Sequence, residues 1–263
     1  METKIISTYR KGVSVLINPK NCGGFFGISA SYPFFSNKDL KSYCEKYYHH
    51  KKIDEFIKFG TNHFDKFLVV LVDYLLHYNL IAFNNFDTKK ALITARKVGD
   101  ILEKKIKKTL LKYKNKIIFL RWENIKKDKE FNYILKTIRT FAKENKEFKK
   151  ECMRLTISAT WNKLRIIKNK YGNKKYKKIL SVAKDYSLDD IALCLYLYHN
   201  FPIEISKYEP PRIIKKIYNG LFPNLNKKLR FSDMGHIQLS FDDGPAYLDY
   251  YDDEWEDFKQ NGK

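Results

Sequence analysis

The clearest hydrophobic pattern in the chain is the unbroken apolar run Phe67–Val72, which ends at Asp73. Six apolar residues in succession predict a strand buried on both faces, as strands of parallel sheets are. Around it, short apolar runs alternate with helical periods. Val13–Ile17 predicts a first strand, closed by a turn where Asn18, Pro19 and Asn21 cluster. Gly23–Ile28 predicts a second strand that leads into Ser29. Leu40–Phe59 predicts a helix with Leu40, Tyr43, Tyr47 and Ile53 on roughly one side and Gly60 as its stop. Further on, Thr88–Tyr113 predicts a helix, Ile117–Leu120 a strand, and Lys129–Asn145 and Glu147–Lys170 two more helices. Gly172 interrupts; Lys174–Lys184 and Leu188–Tyr198 predict the last helices, and Ile213–Tyr218 and His236–Ser240 two strands. This alternation predicts an α/β fold, a Rossmann-like, doubly wound, mainly parallel sheet. No repeat or linker divides it, so residues 1–240 are expected to form one domain and 241–263 an acidic tail.

The Thr88–Tyr113 segment has two distinct faces. Leu92, Ala95, Gly99, Leu102, Ile106, Leu110 and Tyr113 recur at three- and four-residue steps and form an inward stripe. Lys90, Lys97, Lys104, Lys108 and Lys112 fall on another face, with Lys89, Arg96, Lys105 and Lys107 beside them. Like charges one turn apart cost a helix roughly 0.2–0.5 kcal/mol per pair. A phosphate backbone explains that cost better than solvation does, although a solvated face is the other reading. Lys168, Lys170, Lys174, Lys175, Lys177 and Lys178 form a second basic patch around Tyr171 and Tyr176. Those tyrosines are either stacking platforms for bases or core anchors.

Composition sharpens the picture. The formal net charge is +21, and the stretch from Phe241 onward holds eight acidic and two basic residues, so residues 1–240 carry +27. Such a charge suits a polyanionic partner and salt-dependent binding; lysine enrichment by genomic drift is the competing account. With 44% hydrophobic and 16% aromatic residues the chain is too apolar for disorder. No apolar run reaches membrane-spanning length, and the first residues lack an apolar signal core. Cys22, Cys44, Cys152 and Cys194 are scattered, which reads as reduced thiols in a cytoplasmic protein. The six histidines are dispersed, and neither a Walker loop nor GxGxxG is present. No metal and no cofactor are therefore expected.

The candidate chemistry centres on residues 25–36. An apolar run passes Gly27 to Ser29, Pro33 blocks an immediate helix, and Ser36 to Asp39 offers a helix cap. A serine at a strand end, beside a glycine that admits a ligand to the backbone, suits a nucleophile. On this stretch alone, a turn whose serines only cap and hydrogen-bond the backbone is the better account, because Gly-x-Ser is a common tripeptide.

Gly27-Ile28-Ser29, followed by the aromatic close before Ser36, resembles the nucleophile motif of the tRNA-dependent cyclodipeptide synthases. Three further stretches resemble that family in the same order. Residues 91–99 resemble its basic tRNA-holding helix. Residues 118–125, with Arg121 and Trp122, resemble its strand ending in Arg-Trp-Ser-Asp-Ile. Residues 196–202 resemble its Tyr-x-x-x-Glu-(Leu/Ala)-Pro, with Asn200 in place of the acid. Ile217-Tyr218-Asn219 resembles the place of its second tyrosine.

The resemblance implies a fold like a class I aminoacyl-tRNA synthetase catalytic domain without ATP-binding motifs. It also implies an aminoacyltransferase that joins two aminoacyl groups from two aminoacyl-tRNAs into a cyclic dipeptide through aminoacyl-serine and dipeptidyl-serine intermediates. Ser29 would be the nucleophile, Tyr196 and Asn200 would hold the amine, and Tyr218 would relay a proton. Gly27, Tyr32, Leu120, Trp122 and Glu204 would contact substrate. Lys89, Lys90, Arg96, Lys97, Lys104, Lys105, Lys108 and Lys112 would contact tRNA. A monomer is expected. The alternative is a non-catalytic tRNA-binding protein on the same fold, with Asn200 the trace of lost catalysis.

Overall fold

The computed structural model describes residues 3–8, 24–29, 50–84, 86–201, 203–206, 211–230, 235–239 and 260. The expected Val13–Ile17 strand, the first part of the Leu40–Phe59 helix, and all of the acidic tail but Gln260 lie outside these. Six strands form one sheet: β1 (Thr3–Thr8), β2 (Gly24–Ser29), β3 (Phe67–Val72), β4 (Ile117–Arg121), β5 (Ile203–Ser206) and β6 (Gly235–Leu239). Their order is β1-β6-β5-β2-β3-β4. All pairings are parallel except β1 with β6. The expected mainly parallel, Rossmann-like sheet is present.

β3 shows why an all-apolar strand sits inside such a sheet. Every one of its six residues is buried. Alternate side chains leave opposite faces. Leu68, Val70 and Val72 join a core with Trp122, Ile134, Ile138, Phe148, Leu195 and Ile214. Phe67, Val69 and Leu71 join the other core, with Ile57, Leu76, Ala91, Ala95, Val98 and Ile106. At roughly 25 cal/mol per Å2 of apolar surface removed from water, these two layers are the main stabilising term.

Helices cover both faces: α1 (His50–His63), α2 (Leu76–Asn84), α3 (Thr88–Lys112), the short α4 (Trp122–Ile125), α5 (Lys129–Glu144), α6 (Lys146–Asn200), α7 (Arg212–Tyr218) and α8 (Pro223–Leu229). Three expectations are corrected. Gly60 does not stop α1; it lies inside the helix, where a Cβ would run into the Phe67 ring. The two helices expected after Gly172 are one continuous arm of α6, whose only break is Gly172 itself, at φ 78° and ψ 175°. Ile213–Tyr218 is helix rather than strand. Its β-branched residues favour a strand by propensity, but Ile213, Ile214, Ile217 and Tyr218 are spaced as a helical stripe, and all four are buried. Among the described residues no helix is long and apolar enough to cross a membrane.

Strand order fixes where a ligand belongs. From β2 the chain moves outward to β3 and β4 on one side, then returns to place β5 on the other. The crevice at the carboxyl ends of β2 and β5 is therefore the switch point, where open α/β sheets bind ligands. Ser29 is the last residue of β2.

Candidate active site

Ser29 stands beside Val72 in the β2–β3 register, and Gly27 beside Val70. Tyr32 lies outside the described residues. The residue after Val72 is Asp73, only 2% exposed. Its Oδ2 accepts from Arg121 Nε at 3.1 Å and Nη2 at 2.5 Å. Arg121, the last residue of β4, also donates through Nη1 to Asp100 Oδ1 at 2.5 Å and Glu103 Oε2 at 3.2 Å. One guanidinium thus ties two strand ends to α3. Gly99 makes room for it, since a Cβ there would collide with both the Asp73 carboxylate and the Arg121 guanidinium. Burial pushes the Asp73 carboxyl above the usual carboxylate range, with Arg121 pulling the other way. Burial opposes the Arg121 charge, but hydrogen bonds to Asp73 and Asp100 outweigh it and raise its pKa. Asp73 Oδ1 is buried with no partner. An open cavity of about 410 Å3 lies alongside, bordered by Asp73, α3 and the turn after Trp122.

An aromatic group continues from Asp73. Tyr74 stacks on Trp122 with ring centres 5.5 Å apart, and Tyr78 meets Tyr186 edge-on at 6.1 Å. His77 lies between Tyr74 and Tyr78, 4.3 and 3.9 Å from their rings. Its Nδ1 is 2.6 Å from the Tyr74 carbonyl, which can only accept, so the proton sits on Nδ1. Burial lowers the His77 pKa to about 4 and keeps the ring neutral at pH 7. Tyr78 donates to Asp189 Oδ2 at 2.8 Å, and Arg139 Nη2 donates to Asp189 Oδ1 at 2.8 Å. Burial raises the Asp189 pKa against these two donors; burial and Asp189 together hold the Tyr78 hydroxyl far above its ordinary value.

The sequence-predicted residues are distributed unevenly about this site. Tyr196 and Asn200 do sit one turn apart, with Asn200 Nδ2 donating to the Tyr196 carbonyl at 3.0 Å. Their other partners belong to the start of α5: Tyr196 donates to Asp128 Oδ2 at 3.1 Å and Asn200 to Glu130 Oε2 at 3.2 Å. Burial, then Asp128, pushes the Tyr196 hydroxyl up to about 12. Asn200 precedes β5 by three residues, and Ile203 of β5 pairs with Gly24, the opposite end of β2 from Ser29. Ser29 is five residues further along, roughly 16 Å at 3.3 Å per residue.

The resemblance-based Tyr-x-x-x-acid spacing also occurs ten residues earlier, at Tyr186 to Asp190. That turn packs against Tyr78, which follows the Ser29 end of β3. Sequence reasoning passed over it, along with Asp73, Tyr78 and Asp189, although its spacing was visible. Tyr218 is buried and meets Tyr198 edge-on at 5.6 Å, inside the helical core. Trp122 is fully buried, and Leu120 packs against the same core. Glu204 stands beside Phe25 in the register.

The basic face of α3 is largely open. Lys89, Lys90, Arg96, Lys97, Lys104, Lys108 and Lys112 are exposed, and Lys105 is half-buried. Asp87 caps the helix by accepting from the Lys90 amide at 2.8 Å. Arg96 pairs with Glu123 at 2.7 Å. In the second patch Tyr176 is buried in a small core with Ile157 and Ile179, which makes it an anchor rather than a platform.

No protein-family model matches the chain, and no curated protein matches it by sequence. Solved structures do match by fold. A cyclodipeptide synthase from Fluoribacter dumoffii superposes with a TM-score of 0.61 at 12% identity, over 82% of this chain and 88% of that one. A cyclodipeptide synthase from Candidatus Glomeribacter gigasporarum, bound to Phe-tRNAPhe, gives 0.55 at 19% identity over 84% and 89%. A Mycobacterium tuberculosis protein, whose structure relates cyclodipeptide synthetases to type I tRNA synthetases, gives 0.53 at 16% over 84% and 86%. The fold of this chain is that of the cyclodipeptide synthases.

Proposed function

We propose that this chain is a cyclodipeptide synthase that takes two aminoacyl-tRNAs and joins their aminoacyl groups through Ser29. The observation that carries the reading is the position of Ser29, at the carboxyl end of β2 and at the switch point of the sheet. The fold shared with cyclodipeptide synthases, one of them bound to a tRNA, supports it, as does the open lysine face of α3. An aminoacyl ester is already activated, so a serine hydroxyl can exchange with it without a strong base. The Ser29 oxygen attacks the ester carbonyl, the ribose oxygen leaves and takes up the proton, and an aminoacyl-serine ester remains. The amine of that group attacks the ester carbonyl of the second aminoacyl-tRNA, whose ribose hydroxyl leaves, giving dipeptidyl-Ser29. The dipeptide's free amine then attacks the serine ester, which closes the ring and frees the Ser29 hydroxyl.

For the amine we favour the Tyr186–Asp190 turn of α6, because Tyr186 packs against Tyr78, six residues past the end of β3. Tyr196 and Asn200 instead fasten α6 to α5, and Tyr218 fills the core. Ser29→Ala removes the acyl acceptor, so purified variant given charged tRNAs should yield neither cyclic dipeptide nor acylated protein by mass spectrometry, while wild type yields both. Product at wild-type level from the variant would dismiss Ser29. A wild-type protein that binds charged tRNA without making product would favour the non-catalytic reading.

A further inference from the structure

We infer that the cavity beside Asp73 seats the 3′-terminal nucleotide of the RNA, with a terminal ribose hydroxyl donating to Asp73 Oδ1. The inference rests on the tRNA reading above and adds to it a site for the RNA end. Asp73 lines the cavity and is buried, yet its Oδ1 has no hydrogen-bond partner. An unmet buried acceptor is costly and is satisfied by a ligand that brings a donor. Its other oxygen is held by Arg121, so the carboxylate is already oriented. Carboxylates that bind ribose hydroxyls at strand ends are a recurring solution in open α/β sheets.

The remaining walls divide as a nucleotide does. Leu92, Ile93 and Ala95 of α3 give an apolar side on which a base can lie. Lys126 and Lys127 bring positive charge from the turn after α4, where phosphates would follow. Lys126 Nζ is itself pinned 3.7 Å above the Tyr74 ring. Arg96, paired with Glu123, lies at the edge where the cavity meets the basic face of α3. An RNA strand lying along the lysines therefore arrives at the cavity mouth. At about 410 Å3 the space is within the range of small-ligand sites. Asp73 is one residue past Val72, the register partner of Ser29. Adjacent strands are about 4.8 Å apart, so the cavity lies at the same end of the sheet as Ser29, one strand away.

The test is equilibrium binding, by fluorescence anisotropy, of three uncharged RNAs: an intact tRNA, the same tRNA lacking its terminal nucleotide, and the same tRNA with a 2′,3′-dideoxy terminal ribose. Wild type should bind the intact tRNA about tenfold more tightly than either altered one, the loss expected for a hydrogen bond to a charged group. Ile93→Asp puts a charge on the apolar wall at a residue that is 47% exposed, so folding is spared. This variant should bind all three alike, at the level wild type shows for the truncated RNA. Equal binding of intact and truncated RNA by wild type, or a preference that survives in Ile93→Asp, overturns the cavity as the seat. Dideoxy RNA bound as tightly as intact RNA overturns the Asp73 contact. Binding of none of the three overturns this inference and the tRNA reading together.

Discussion

Helix α6 carries two tyrosine turns of the same spacing, and they make different contacts. At Tyr186–Asp190 the neighbours are Tyr78 and Arg139, and Asp189 is almost wholly buried between their donors. At Tyr196–Asn200 the neighbours are Asp128 and Glu130, and Asn200 is exposed. Ten residues of helix, about 15 Å, separate the two. A crossover helix must run from the carboxyl end of a parallel sheet back to its start. On the proposed reading the earlier turn serves the ligand end, whereas the later one is fastened to Asp128, next to the cavity-lining Lys127, and meets Phe131 edge-on at 5.9 Å. Spacing alone puts two side chains on one face; only the direction of the helix relative to the strands says which face meets substrate.

Activity gives the largest separation between the turns. Tyr186→Phe and Asp190→Ala should each lower cyclic dipeptide formation by about 10- to 100-fold, the scale of losing one charge-assisted hydrogen bond to an amine. Tyr196→Phe should stay within about threefold of wild type while losing stability, since Tyr196 then leaves Asp128 without its donor. Steady-state product formation measured beside denaturant unfolding reads both. The opposite ranking of activities would move the substrate to the later turn.

The aromatic group beside the earlier turn sharpens the comparison through pH. His77 has a folded pKa of about 4 against 6.5 for the free side chain. The unfolded chain therefore binds more protons between these values, and stability falls as pH drops from about 6.5 to 4. The full shift corresponds to about 3 kcal/mol. Asp73 and Asp189 are raised by burial, so they act with the opposite sign above pH 3.8. The clean measurement is the difference between wild type and His77→Phe, which keeps the ring between Tyr74 and Tyr78. The stability advantage of wild type over the variant should shrink by about 3 kcal/mol across that window. A gap independent of pH would mean that His77 takes up its proton as readily folded as unfolded.

Much of this arrangement was legible because some segments carry one dominant signal. Phe67–Val72 is apolar throughout and is a buried strand with the predicted bounds. The two-faced pattern of Thr88–Tyr113 gave the exposed lysines of α3 and most of its inward stripe; Leu92 instead lines the open cavity. What stayed hidden falls into two kinds. Ile203–Ser206 has four residues after a proline, too few for a period to show, and Ile213–Tyr218 sets strand propensity against helical spacing. The Asp73–Arg121 pair joins residues 48 apart, which only the β3–β4 register brings together. The Tyr196 turn stood out because Pro202 completes the string, whereas the Tyr186 turn has the spacing and the acid but no proline after it.

The smallest expected effect is the most pointed test of the comparison. Asn200→Glu restores the acid that the resemblance implies, one turn from Tyr196. If that turn held the amine, a carboxylate there would strengthen binding and raise product formation severalfold. The structure gives a different forecast. Asn200 donates to Glu130, and Asp128 is already the acceptor of the Tyr196 hydroxyl. A glutamate replaces that donor with a second negative charge facing Glu130. His199 Nε2, 3.2 Å from Glu130 Oε1, offsets part of the repulsion only when protonated. Both Asn200 and Glu130 are solvent-accessible, so screening keeps the penalty small, about 0.5 kcal/mol. Stability at pH 7 should therefore fall by about that amount at low salt and recover at high salt, where exposed charges are screened. Product formation should stay at the wild-type level. A rise in turnover, with stability unchanged by salt, would show that position 200 faces the substrate and that the two turns have been assigned the wrong way round.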